Sequence, residues 1–186
     1  MKFALILGVV IITSCKQNQP DESFVESARD TLKMSDKRIA YTSGNQIQTG
    51  NTKPQELIDF AKTLIGTPYK YGSTDPSQGF DCSGFITYVF NHFNIAVPRS
   101  SIDFTNVGKE IKLEQAKPGD IILFTGTDSA DRDVGHMGIV VAADNPQLQF
   151  IHSSSGKANG VTITPFNDYY SGRFVKVIRL FPQNEE

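Results

Sequence analysis

Gly79-Phe80-Asp81-Cys82-Ser83-Gly84-Phe85-Ile86-Thr87-Tyr88-Val89-Phe90 sets a lone cysteine between a turn-rich approach and an apolar helical run. Phe85, Ile86, Val89, Phe90 and Phe93 recur at i, i+1, i+4, i+5 and i+8, the spacing of a helix that buries one face. Asp81 stands where an N-cap would stand, which places Cys82 at the helix start. There, unpaired backbone N–H groups and the positive end of the helix dipole favour the thiolate, the form of sulfur that attacks a carbonyl. A free cysteine is also a common small core residue. This stretch alone therefore leaves Cys82 as nucleophile or as filler, and the rest of the chain has to decide.

The 186 residues suit one domain plus an appendage, and a hydrophobic content of 39% supplies a core. With 18 basic against 20 acidic side chains there is no basic stripe, so nucleic acid is not an expected partner. Met1-Lys2 and the apolar run from Phe3 to Ile12 are too short for a bilayer, which takes about 20 residues, and read as a secretory signal over residues 1–14. Ile12-Thr13-Ser14-Cys15 resembles the lipobox of bacterial lipoproteins, in which the cysteine is acylated and becomes the mature N-terminus. On that reading Cys15 is a lipid anchor; an ordinary signal with a chance cysteine is the alternative. Residues 15–52 are rich in Ser, Thr, Gln, Asn, Asp and Lys and read as a tether, so the folded domain is expected over 53–186. If Cys15 carries lipid, Cys82 has no disulfide partner. A free thiol in an oxidising compartment invites damage, so keeping one points to use. Lys16 offers no inner-membrane retention signal, and the expected location is the cell envelope, at the outer membrane.

In chain order, Thr52-Lys53-Pro54-Gln55 reads as a helix start with Thr52 as cap, followed by a stripe of Leu57, Phe60, Ala61, Leu64 and Ile65 that Gly66 and Pro68 stop. An extended segment carrying Tyr69 and Tyr71 leads through Asp75-Pro76-Ser77-Gln78-Gly79 to Cys82; Tyr71 reads as a half-buried aromatic with a wet edge. A short helix is expected from Ser101 to Val107, ended by Gly108. Lys117-Pro118-Gly119-Asp120 is a turn before the buried strand Ile121-Ile122-Leu123-Phe124. Strands follow at Gly135 to Ala143, Leu148 to Ser153, Gly160 to Thr164 and Phe174 to Phe181. Helices first and antiparallel strands after make the expected class α+β.

Each of the three histidines can be weighed. His92 lies ~15 Å down the cysteine helix and cannot partner Cys82. His136 opens one strand and His152 closes the next. A hairpin turning at Asp144 to Gln147 sets His152 opposite residue 139, leaving the two about three positions out of register, closer if a bulge or shifted turn intervenes. A thiol nucleophile needs an imidazole to take its proton and a third polar group to fix that ring's tautomer, which suits His136 as base and His152 as orienter. Spacing alone equally allows two structural histidines at strand ends. A metal bound by Cys82, His136 and His152 lacks the short ligand spacing of zinc sites. Asp128, Asp131 and Asp133 lack the turn glycine and terminal glutamate of a calcium loop. No metal and no cofactor is expected.

Asp81-Cys82-Ser83-Gly84-Phe85, Pro98-Arg99-Ser100-Ser101, Pro118-Gly119-Asp120-Ile121-Ile122-Leu123-Phe124, Val134-Gly135-His136-Met137-Gly138-Ile139 and Phe150-Ile151-His152-Ser153-Ser154, in this order, resemble the NlpC-type cell-wall cysteine peptidases over residues 54–181. The resemblance implies a papain-like fold, with N-terminal helices on an antiparallel sheet of five or six strands. It also implies a Cys-His-His triad of Cys82, His136 and His152, and cleavage of stem or cross-link peptides of peptidoglycan. By the same resemblance Tyr69 lines the oxyanion site, and Asp81, Ser83 and Arg99 lie near the substrate groove. The run Lys70-Tyr71-Gly72-Ser73 departs from the aromatic and two glycines that follow that tyrosine in many members. A lipid-anchored, monomeric peptidoglycan endopeptidase is thus the leading expectation. An amidase or acyltransferase on the same fold and a non-catalytic wall-binding lipoprotein are the alternatives.

Overall fold

The computed structural model describes residues 46–185, apart from 129 and 144–146; the signal, Cys15, most of the tether and the Asp144 to Pro146 part of the hairpin turn lie outside the described residues. In chain order the elements are α1 (Pro54–Thr63), β1 (Thr74–Asp75), β2 (Gly79–Phe80), α2 (Cys82–His92), β3 (Lys109–Ile111), β4 (Ile121–Thr125), β5 (Val134–Ala142), β6 (Gln149–Ser154), β7 (Gly160–Pro165), α3 (Asp168–Ser171) and β8 (Phe174–Arg179). Six of the strands form one antiparallel sheet in the order β3-β8-β4-β5-β6-β7, and β1 and β2 form a separate two-stranded ribbon. The fold is α+β, as expected. The ribbon, β3 and α3 are too short to leave a periodic signal, and the sequence reading passed over them.

Residues alternate between the two faces of β4, and both faces are buried. Ile121 and Leu123 join Met137, Ile139 and Ile151 in a core with Phe85, Ile86, Val89 and Phe90 of α2 and Leu57, Ile58 and Ala61 of α1. Ile122 and Phe124 join Val140, Phe150, Val177 and Tyr170 in a second core on the other face. The four α2 side chains are fully buried, and withdrawing each from water stabilises by roughly 1.5–3 kcal/mol. Asp120, at 0% exposure, accepts two hydrogen bonds from Arg179 at 3.0 and 2.9 Å and ties the turn before β4 to β8.

Details of the helix ends differ from expectation. The α1 N-cap is Lys53, not Thr52; lysine has no acceptor, so the end is closed by the Glu56 carboxylate, which takes the Lys53 N–H at 3.2 Å. Ile65 lies past the helix end and is 51% exposed. Tyr71 is 88% exposed rather than half-buried, at a turn in which Gly72 takes φ +72°. Ile47 and Thr49 are buried, so core packing reaches a few residues upstream of residue 53.

Candidate active site

Asp81 caps α2 as the sequence indicates, its carboxylate accepting the Gly84 N–H at 2.5 Å. Gly84 is required for another reason: a Cβ there would lie 2.1 Å from the Ser73 carbonyl, so only glycine lets the helix start approach the segment before β1. Cys82 is therefore the first residue of α2, half-buried, with Sγ 3.9 Å from the carbonyl oxygen of Gly135, the residue before His136. Among the described residues it is a free cysteine.

Bulging of β5 decides how the histidines meet. Ala142 pairs with Gln149, but beyond an irregularity at Val141 the register shifts by one, so that Val140 pairs with Phe150 and Ile139 with Ile151. Carried on, this sets His152 opposite Gly138, two residues from His136 and on the same face. In the unbulged register the two rings would point to opposite faces. Gly138 leaves the intervening space empty, since a Cβ would lie 2.7 Å from the Phe150 ring and 3.3 Å from the His152 Cβ. The rings meet, His136 Nε2 to His152 Nδ1, at 2.8 Å, and His152 Nε2 reaches Thr164 Oγ1 on β7 at 2.9 Å. If His136 keeps its Nδ1 lone pair for the thiol, each ring is protonated at Nε2: His136 donates to His152, and His152 donates to Thr164.

Tyr69 reaches the same place by backbone clamping. Its N–H donates to the Asn159 carbonyl at 3.0 Å, Phe80 N–H donates to Pro68 at 2.9 Å, and the Ser153 hydroxyl donates to the Phe80 carbonyl at 2.8 Å. These bonds stitch the cysteine approach to the histidine strands. Tyr69, Cys82, His136, His152, Thr164 and Tyr170 line one cleft of about 1010 Å³. Asp81, Ser83 and Arg99 lie beside this cleft without lining it. Arg99 instead donates to both Asp81 carboxylate oxygens at 2.7 and 3.1 Å and to the Ser83 hydroxyl at 2.9 Å, and this knot braces the helix start beside the cleft. His92 is exposed at the far end of α2 and stacks on Phe60 with ring centroids 3.6 Å apart.

The electrostatics differ from the expected thiolate. Burial and then the Asp81 charge push the Cys82 thiol up, outweighing the Ser83 and Cys82 backbone N–H groups and Arg99, whose charge is largely spent on Asp81. Burial, then His152 and Arg173, hold His136 well below the usual imidazole range, although part of its surface stays open to the cleft. Burial and then Arg173 lower His152 to about 4. The resting site is an uncharged thiol beside two uncharged rings. Burial also raises the Tyr69 phenol, with the charges of Cys82, Asp81 and Tyr71 adding to it, which keeps that hydroxyl a donor.

The His152 shift has a consequence for stability. Between its ordinary value of 6.5 and about 4, the unfolded chain binds a proton that the folded chain refuses, so stability is full above pH 6.5 and falls as pH drops towards 4. The loss is about 3 kcal/mol at 1.36 kcal/mol per pH unit. Urea unfolding at pH 7 and pH 4 should show it. His152→Asn should reduce the pH dependence by that amount, and an unchanged dependence would contradict the assignment.

Thr164, Tyr170 and Arg173 were not singled out from the sequence. Thr162 and Thr164 at alternate positions of a strand beside a histidine strand were a readable sign of a polar partner. Tyr170 meets both histidine rings from the short α3 and Arg173 follows just beyond it, and neither left a periodic sign.

An α+β sheet with a helix-start thiol and a hydrogen-bonded imidazole pair on one cleft defines a papain-like domain. A model of the NlpC/P60 family matches residues 66–179, and the chain belongs to that family. It is 35% identical over 137 residues to a Bacillus subtilis protein named gamma-DL-glutamyl hydrolase, covering 73% of this chain and 32% of that one. It is 36% identical over 118 residues to a Haemophilus influenzae protein named probable endopeptidase, covering 62% of this chain and 67% of that one. The crystal structure of an NlpC/P60 family protein from Bacillus cereus superposes with a TM-score of 0.63 at 27% identity, covering 72% of this chain and 42% of the other. The chain spans about a third of the length of the Bacillus subtilis relatives it matches.

Proposed function

We propose that this protein is a cysteine peptidase that hydrolyses peptide bonds in the stem or cross-link peptides of peptidoglycan, such as the bond between γ-D-glutamate and a diamino acid. The observation that carries the reading is the opening of the helix-start thiol and the His136–His152 pair onto one cleft. Relatives named gamma-DL-glutamyl hydrolase and probable peptidoglycan endopeptidase support this substrate class. Cys82 Sγ attacks the carbonyl carbon as its proton passes to His136 Nδ1. The oxyanion is held by the Cys82 N–H, unpaired at the first position of α2, and by the Tyr69 hydroxyl. His136 then protonates the departing amine, and water releases the acyl group from sulfur. His152 and Thr164 hold the His136 tautomer throughout.

Digestion of purified sacculi with the protein, followed by mass spectrometry of the muropeptides, tests the reading. New amino termini support it; transfer of acyl groups without new amino termini, or no product, contradicts it. Thr164→Val leaves the His152 Nε2–H without its acceptor. It should lower kcat about tenfold, the equivalent of ~1.4 kcal/mol, with KM nearly unchanged. An unaffected kcat would remove Thr164 from the relay.

Export behind the 1–14 signal, lipid on Cys15 and residence at the outer membrane of the cell envelope complete the proposal. Among the described residues no helix is long and apolar enough to cross a membrane. Cys15→Ala should move the protein from the membrane fraction to the soluble fraction, and retention in the membrane would refute the anchor.

A further inference from the structure

The wall of the cleft carries two cations, Lys157 and Arg173, and no aspartate or glutamate among the described residues. Asp81, whose charge reaches Cys82, is neutralised by Arg99 outside the lining. Arg173 is held in place. Its Nε donates to the Gly126 carbonyl at 3.0 Å, Nη2 to the Thr125 carbonyl at 2.7 Å and Nη1 to the Tyr169 hydroxyl at 2.6 Å. The guanidinium carbon also lies 5.0 Å from the Tyr169 ring centroid and 5.9 Å from that of Tyr170. A guanidinium has five N–H groups, so these bonds leave one on each terminal nitrogen. No carboxylate pairs with Arg173 among the described residues.

The hydrogen-bond acceptors of Arg173 are neutral and glutamine could serve two of them; the two tyrosine rings draw on the charge, but no anion answers it among the described residues. Keeping a cation beside His136 and His152 also works against protonating either ring. A fixed guanidinium with two spare N–H groups, facing a cleft without acids, suits a carboxylate brought by a ligand. Its position says which part of the substrate carries that group. Thr125 pairs with Val134, and a Cβ on Gly135 would lie 2.6 Å from Gly126 Cα, so Arg173 is anchored to the strand ends that flank His136. The ring that protonates the amine must face the fragment being released. That fragment therefore lies over the Arg173 wall, while the acyl fragment lies towards Tyr69 and the helix start.

We propose that Arg173, with Lys157 adding to the field, binds a free carboxylate on the residue whose amine is released, so that the site selects substrates that are acidic on the leaving side of the cut. This rests on the hydrolase reading of the cleft. Two peptides differing in one group test it: L-Ala-γ-D-Glu-L-Lys with the lysine carboxyl free, and the same peptide as its carboxamide. Wild-type protein should cut the acid with kcat/KM at least tenfold above the amide. Arg173→Gln should bring the ratio to within about twofold of one, and Arg173→Lys should keep part of it. A wild-type ratio near one, or a full ratio in Arg173→Gln, overturns the proposal. A second measurement does not depend on turnover. Calorimetric titration of Cys82→Ala protein should give a Kd at least tenfold lower for the acid than for the amide, and adding Arg173→Gln should erase the difference. Equal Kd values overturn the carboxylate site even if both peptides are cut. Failure of the wild type to cut either peptide, with the Kd ratio intact, counts against the hydrolase reading alone.

Discussion

Cys82→Ala protein is expected to release no new amino termini from sacculi, with turnover lower by ~10^5-fold or more, the scale at which removal of a covalent nucleophile acts. The substitution removes one sulfur from a half-buried position at a helix start. The cap survives it, because Asp81 accepts from Gly84 and not from Cys82. The Asp81–Arg99–Ser83 knot likewise makes no use of the thiol. Thermal unfolding should therefore shift by no more than a few degrees while activity disappears, and digestion by a folded Cys82→Ala variant would sink the assignment.

His136→Ala is the second large effect. Loss of the general base should lower kcat by about 10^2- to 10^4-fold, with a smaller change in KM. The effect should exceed that of Thr164→Val, because Thr164 acts only through His152. The burial that raises the Cys82 thiol sharpens the expectation. The resting sulfur is a thiol, so without His136 no side chain of the constellation takes its proton. In that variant the surviving rate should rise with pH as hydroxide generates thiolate. A rate independent of pH from 7 to 9 would indicate that the sulfur ionises without the ring.

The parts of this fold that bury regular apolar faces were legible in the sequence. The period of Phe85, Ile86, Val89 and Phe90 gave α2, and the apolar run from Ile121 to Phe124 gave a central strand. What pairing arithmetic could not supply was the bulge at Val141, which depends on packing between β5 and β6 and turns a three-residue offset into two. Without it, His136 and His152 fall on opposite faces. The direction of the thiol's shift was also hidden, because a helix start favours the anion locally whereas burial is a property of the assembled cleft. Arg99 was legible as a motif residue, but not as the partner that occupies Asp81. Arg173 enters just beyond a four-residue helix, where sequence spacing carries no sign of contact.

The central claim is a covalent acyl intermediate on Cys82 formed with the help of His136. The most direct measurement is mass spectrometry of the tryptic peptide bearing residue 82, after rapid acid quenching of the protein mixed with L-Ala-γ-D-Glu-L-Lys. This peptide is expected to gain the mass of L-Ala-γ-D-Glu less water, and His136→Ala protein to accumulate the adduct far more slowly. Turnover with the sulfur unmodified at every quench time, or with the added mass on another residue, would contradict it.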